Sequence, residues 1–321
     1  MTKTRILLIV LMLLSSASST IAQNNTFRIV GYYSLDAAIK EPRRSTLKKI
    51  THVNLWFLNP DSAGNFTRNL EGLATFVSKA HRQKVKVLVS IGGGSKHPQY
   101  HTLLQDNRRK GLIHDLVSIV LTNNLDGIDV DLEGSDIDEN YESFVVELAQ
   151  QLRLNNKLIT SAIAVYYKDQ LSDKALATYD FVNVMSYDRT GPWRPEKPGP
   201  HSTYEHALED LTYFSVERKI PREKMTLGVP FYGYGYGPQL TSRAISMNYG
   251  KIVDTFPGAE TKDEWTMADG KILYYNGIPT IIRKTQLAGE MASGIMIWQV
   301  LGDARGSKSL LRAIYRNGRR K

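Results

Sequence analysis

Cysteine is absent from all 321 residues, which excludes disulfides, thiolate metal sites and a lipoprotein attachment thiol. Long apolar runs are missing too. The longest, Ile6–Leu14, falls well short of the roughly 20 residues a spanning helix needs, so no membrane span is expected. No internal repeat, linker or low-complexity stretch divides the chain. Basic residues are not interleaved with aromatics along a face, and a nucleic-acid partner is not expected.

What is present begins with Lys3 and Arg5, the apolar Ile6–Leu14 and a small-polar stretch ending Thr20-Ile21-Ala22. This pattern predicts a cleaved signal peptide over residues 1–22 and a secreted or periplasmic mature chain starting at Gln23. A buried N-terminal helix is the alternative. The formal charge of +9 falls to 9 − 2 = +7 when Lys3 and Arg5 leave. Much of it sits in the Arg312–Lys321 tail, which suits weak attraction to anionic envelope material. Residues 23–321, of ordinary globular composition, suffice for one large domain, expected to be monomeric.

Eight apolar, β-branched segments recur: Arg28–Tyr33, His52–Phe57, Val85–Ile91, Gly127–Leu132, Leu158–Ala164, Phe181–Tyr187, Thr226–Phe231 and Gly294–Gln299. Helix-patterned stretches such as Leu70–Arg82 and Tyr141–Leu154 lie between them. Alternating strands and helices imply right-handed crossovers and a parallel sheet. Eight such units predict an α/β fold, a closed (β/α)8 TIM barrel, with an open doubly wound sheet as the alternative. A small insertion at about 234–276 separates the seventh and eighth strands.

The most informative run is Leu-Asp-Gly-Ile-Asp-Val-Asp-Leu-Glu-Gly, residues 125–134. In an extended chain Gly127, Asp129, Asp131 and Glu133 share one face, and Ile128, Val130 and Leu132 share the other. Stacked carboxylates repel one another, a cost more often met at functional sites than on a solvated strand. At the carboxyl end of a barrel strand Glu133 meets the mouth and Asp129 lies deepest. Neighbouring negative charge raises the pKa of a terminal glutamate and makes it a general acid near neutrality. No metal or other cofactor is expected: no histidine joins the acids, and alternate residues of one strand stand about 7 Å apart.

The run resembles the Asp-x-x-Asp-x-Asp-x-Glu signature of glycoside hydrolase family 18, the chitinases and their relatives, at Asp126, Asp129, Asp131 and Glu133. Ser90-Ile91-Gly92-Gly93, Met185-Ser186-Tyr187-Asp188, Gly228–Gly233 and Gly294–Trp298 resemble the motifs of strands three, six, seven and eight. The resemblance implies retaining hydrolysis in which the substrate's own acetamido group is the nucleophile. It makes Glu133 the acid, Asp131 the partner of the acetamido N–H, and Asp129 the proton and charge partner of Asp131. Tyr187 would hold the acetamido oxygen and Asp188 the distorted sugar. Substrate binding would fall to Trp298 as the floor, with Trp193, Tyr32, Met185 and Ser90. Trp193 would otherwise cap the rim, and Ser90 would hydrogen-bond Asp129.

Departures from the family pattern, among them an insertion between strands seven and eight shorter than the one that walls deep clefts, point to a shallower groove. Gly94 follows the third-strand glycines where an aromatic is frequent. Leu55 replaces an aromatic on strand two, and Tyr234 replaces a frequent arginine after Phe-Tyr-Gly. The implied partner is chitin or another N-acetylglucosamine oligosaccharide. N-glycan cores or peptidoglycan are the alternatives, and a non-catalytic lectin is a reading from another class.

Overall fold

A computed structural model describes residues 27–40, 44–237 and 244–318; the expected signal peptide lies outside them. Each segment expected as a strand contributes one strand of a closed parallel barrel. In chain order these are β1 (Arg28–Ser34), β2 (His52–Trp56), β3 (Lys86–Gly92), β4 (Gly127–Asp131), β5 (Leu158–Ile163), β6 (Phe181–Val184), β7 (Met225–Pro230) and, after an insertion, β12 (Gly294–Trp298). Around the barrel their order is β1-β12-β7-β6-β5-β4-β3-β2. The open sheet is thereby excluded.

Around the strands lie α1 (Leu35–Lys40), α2 (Arg44–Leu47), α3 (Leu73–His81), α4 (Gln99–Leu103), α5 (Asp106–Thr122), α6 (Tyr141–Leu154), α7 (Asp173–Thr178) and α8 (Tyr204–Thr212). They are followed by α9 (Tyr249–Thr255), α10 (Ile278–Met291) and α11 (Leu310–Asn317). In α6 the buried residues Tyr141, Phe144, Val145, Leu148, Ala149 and Leu152 form one stripe at helical spacing. The first helix after β2 starts at Leu73, later than the expected Leu70, because Gly72 takes a left-handed φ of +87° that interrupts the helical backbone.

The period-2 pattern of β4 sorts its side chains as anticipated. Ile128, Val130 and Leu132 join the large apolar layer between sheet and helices, while Asp129 and Asp131 are buried within the barrel. That interior has a polar middle of Ser90, Asp129, Thr160, Asn183 and Thr226 and an apolar patch built on Val30, Tyr32, Ala162, Phe181, Tyr187 and Met296. Asp126 takes no part in this stack. At the amino end of β4 it accepts hydrogen bonds from Lys86 Nζ at 2.7 Å and the Val87 amide at 2.8 Å, with His81 Nε2 at 2.7 Å. Burial raises its pKa, but these bonds outweigh burial and hold it below the usual value. The first acid of the signature thus acts as a clamp between β3, β4 and α3.

The insertion forms a four-stranded antiparallel sheet of β8 (Tyr232–Tyr236), β9 (Ile245–Asn248), β10 (Glu264–Thr266) and β11 (Ile272–Tyr274). It begins at Tyr232, ahead of the expected 234, directly after β7. Alternation puts Tyr232, Tyr234 and Tyr236 on one face, packed with Tyr274 and Trp298 at the barrel mouth.

Candidate active site

Strand register builds the acid stack. Ser90 on β3 and Thr160 on β5 lie opposite Asp129, and Gly92 lies opposite Asp131. Asp129 has no solvent exposure and is saturated. Ser90 Oγ (2.7 Å) and Tyr32 Oη (2.6 Å) donate to one oxygen; Thr160 Oγ1 (2.6 Å) and Asn183 Nδ2 (3.3 Å) donate to the other. Burial raises its pKa while these donors oppose the rise. Asp131, one step nearer the mouth, is pushed well above the carboxylate range by burial and by the charges of Glu133 and Asp129. Its buried Oδ1 has no hydrogen-bond partner. An unmatched buried oxygen is costly, and this one, on the cleft lining, is placed to accept from water or a bound molecule.

Glu133 stands just past the end of β4. Burial, then the charges of Asp188 and Asp136, push its pKa up to about 7. A carboxyl raised toward neutrality is suited to giving a proton and taking one back. The surrounding cleft, about 150 Å³, is lined by Phe57, Gly94, Asp131, Glu133, Ala164, Tyr166, Met185, Tyr187, Asp188 and Trp298. Tyr187 Oη has only a long contact to Met296 Sδ at 3.9 Å, and its proton remains available. Trp298 is stacked on Phe57, with ring centroids 5.7 Å apart and planes at 22°. Asp188 adopts a left-handed φ of +59°. Its Oδ1 accepts from Tyr232 Oη at 2.6 Å, with His201 Nδ1 3.2 Å away, and its charge, after burial, raises the pKa of the neighbouring Tyr234 phenol.

Of the ten candidate residues, Glu133, Asp131, Tyr187, Asp188, Met185 and Trp298 line the cleft together, and Asp129 lies beneath them. Tyr32 and Ser90 lie below the cleft lining: both are buried, at 1% and 0% exposure, and both donate their hydroxyls to Asp129, Ser90 as expected, so they support the acids from below. Trp193 stands on the rim outside the cleft lining, 59% exposed, edge-on to Tyr234. A Cβ on Gly191 would fall 2.3 Å from the Trp193 ring, so glycine is what lets the indole fold back there. The departure at Leu55 proves irrelevant to the groove: Leu55 belongs to the helix-facing layer, and Phe57 supplies an aromatic surface on the cleft. Gly94 leaves the cleft open, since a Cβ there would meet only Glu133 Oε1, at 3.6 Å.

Two supporting clusters were missed. Asp136 Oδ2 accepts from the His97 amide at 2.9 Å and lies 3.2 Å from His97 Nδ1. Asn59 Nδ2 donates to the Gly92 carbonyl at 2.9 Å and lies 3.1 Å from His97 Nε2. In this arrangement Nε2 can accept from Asn59 and Nδ1 can donate to Asp136, and the network fixes Asp136 where its charge helps raise the pKa of Glu133. Asp136→Asn is expected to lower the Glu133 midpoint by about half to one pH unit. Carboxyl NMR titration of both proteins would read this shift, and an unchanged or higher midpoint would refute it. The second cluster is Lys284, fully buried, whose Nζ donates to Ser202 O (2.9 Å), Ser202 Oγ (2.7 Å) and Asn276 Oδ1 (2.8 Å). Burial lowers its pKa to about 7. Ser202 Oγ in turn donates to Ser186 O at 2.7 Å, tying the insertion and α10 to the segment that presents Tyr187 and Asp188.

A barrel with stacked carboxylates at the end of its fourth strand and aromatic surfaces at its mouth defines the class of carbohydrate-active (β/α)8 proteins. The chain belongs to glycosyl hydrolases family 18, whose family model matches residues 28–303. It is 33% identical to the GH18 chitinase ChiB from the chitin utilization locus of Flavobacterium johnsoniae, with a TM-score of 0.81 over 91% of this chain and 94% of that one. A chitinase from Bacteroides thetaiotaomicron is 27% identical, with a TM-score of 0.75 over 91% and 96%. A chitinase-like effector of Moniliophthora perniciosa is 28% identical over 262 residues, which are 70% of this chain and 59% of that protein. The chain thus spans little more than half of that relative. Among the described residues no helix is long and apolar enough to cross a membrane, and no group of three or more His, Asp or Glu side chains could hold a metal ion.

Proposed function

We propose that this protein is a retaining, substrate-assisted hydrolase of β-1,4-linked N-acetylglucosamine in chitin oligomers, exported by its N-terminal leader. The observation that carries the reading is the unpartnered, buried Oδ1 of Asp131, in a cleft shared with Glu133 and Tyr187. An acetamido group supplies the complementary pair: its N–H suits Asp131 and its carbonyl oxygen suits the free Tyr187 hydroxyl. Held so, the carbonyl oxygen faces the anomeric carbon of its own sugar. Glu133 protonates the glycosidic oxygen, the C–O bond breaks, and the acetamido oxygen bonds to the anomeric carbon as an oxazolinium ion. Asp131 stabilises the positive charge that develops on the ring, with Asp129 fixed beneath it. Glu133, now a carboxylate, takes a proton from water, which opens the ring and returns the β-anomer. Trp298 offers a flat face to the apolar side of the pyranose, and Asp188, held by Tyr232, faces its hydroxyls.

Product analysis on the secreted protein tests this. Chitin oligosaccharides, an N-glycan glycopeptide and peptidoglycan fragments are incubated separately, and product anomers are read by NMR. Cleavage of chitin oligomers with β-anomer products and a mature terminus at Gln23 is expected. Cleavage of another glycan alone would move the substrate, α-anomers would refute the mechanism, and sugar binding without turnover would make the protein a lectin.

A further inference from the structure

On the flank of the barrel, α11, α2 and the segment after β12 enclose a second concavity of about 730 Å³. Its lining includes Lys49, Arg305, Arg312 and Arg316, with the hydroxyls of Thr46 and Ser309. The one acid in the lining, Asp303, is spent internally: its carboxylate accepts from Ser309 Oγ (2.6 Å) and from the amides of Leu310 (2.8 Å) and Ala304 (2.9 Å). No described residue pairs with the guanidinium of Arg305, Arg312 or Arg316, although Lys308 beside them pairs with Glu260 at 3.5 Å. Residues 305–321 hold seven cations and no acid, against a net charge of +9 for the whole chain.

We propose that this groove binds a linear polyanion, a polysaccharide carrying carboxylate, phosphate or sulfate groups, and so holds the protein on an anionic matrix. Arg312 and Arg316 lie one helical turn apart on α11, about 6 Å along its axis, which suits charge repeated along a chain. Like charges gathered in a concavity repel each other and focus the field on an incoming anion. Guanidinium forks match each of these oxyanions. Nucleic acid is the weaker occupant, because Tyr315 is the only aromatic in the lining and stacking platforms are what bases require. The groove is formed by residues separate from those of the acid-lined cleft, so the proposal stands whatever that cleft hydrolyses.

The test uses the ¹⁵N-labelled protein titrated with oligogalacturonate, a phosphomannan oligosaccharide and a heparin-derived hexasaccharide, with neutral chitohexaose and a single-stranded oligonucleotide as comparators. Amide shifts confined to 46–49 and 300–318 are expected with at least one of the three polyanions, which also identifies the anion, and binding should weaken steeply with salt. Arg305→Gln/Arg312→Gln/Arg316→Gln should lose at least about tenfold in affinity. A control of equal charge change, Lys79→Gln/Lys110→Gln/Lys219→Gln, should lose less than about twofold. Equal losses in the two variants, shifts scattered over the surface, no binding by any of the three, or tighter binding of the oligonucleotide would each overturn the assignment.

Discussion

Glu133→Gln is expected to lower kcat on chitin oligomers by about 10²–10⁴-fold while leaving the affinity for those oligomers within about threefold. Glutamine keeps the shape and part of the hydrogen bonding of a protonated glutamic acid, but it can neither give a proton to the glycosidic oxygen nor take one from water. In the proposed mechanism both half-reactions pass through this one group, so the loss should fall on kcat. In the wild type the limb of the pH–rate profile on the alkaline side should have its midpoint near about 7, where Glu133 loses its proton. The variant's residual rate should lack that limb. Steady-state kinetics with calorimetric binding of the intact oligomer decides the matter. A variant that retains a tenth or more of the wild-type kcat would remove Glu133 from the role of acid, whichever glycan is the substrate.

The elements legible in the sequence are those whose information is local. Each barrel strand announces itself by a short β-branched run, and the acids of β4 are neighbours in the chain, so alternation alone puts Asp129 and Asp131 on one face. What alternation does not give is height along the barrel axis. Ser90 meets Asp129 as the resemblance implied, but Tyr32, which faces inward as expected, lies at the same level, below the mouth. The same limit applies to Asp126, which matches the signature but sits at the opposite end of the strand. The remaining groups come together only through the fold. Asn59, His97 and Asp136 follow three different strands, and Lys284 meets Ser202 across 82 positions of sequence. Leu55 illustrates a different error. An aromatic was missed at that position, but the side chain there faces the helices, and Phe57, two residues on, fulfils the need at the cleft.

The carboxyls to which the proposal gives the chemistry should cost stability, and the sign of that cost is fixed by the direction of their pKa shifts. Glu133 is raised from 4.5 to about 7 when folded, so between those values the native state binds the proton that the unfolded state has released. Stability contributed by the neutral carboxyl is complete below about 4 and is lost as pH rises through about 7. A shift of this size corresponds to at most about 3 kcal/mol, since each unit is worth about 1.4 kcal/mol. Glu133→Gln removes the ionisation, and the variant should be more stable than the wild type by about 1–3 kcal/mol at about pH 9. The gain should shrink toward zero near about pH 4, where both side chains are neutral. For a chain of this length that is a Tm increase of roughly 2–6 °C, readable by calorimetric scans across the pH range. Asp131→Asn should stabilise in the same direction, because Asp131 is raised by burial and by the charges of Glu133 and Asp129. The double variant should gain less than the sum, because each charge is part of the other's penalty. A Glu133→Gln protein no more stable than wild type at alkaline pH would mean that the stack is relaxed by solvent and that Glu133 has no raised pKa to use.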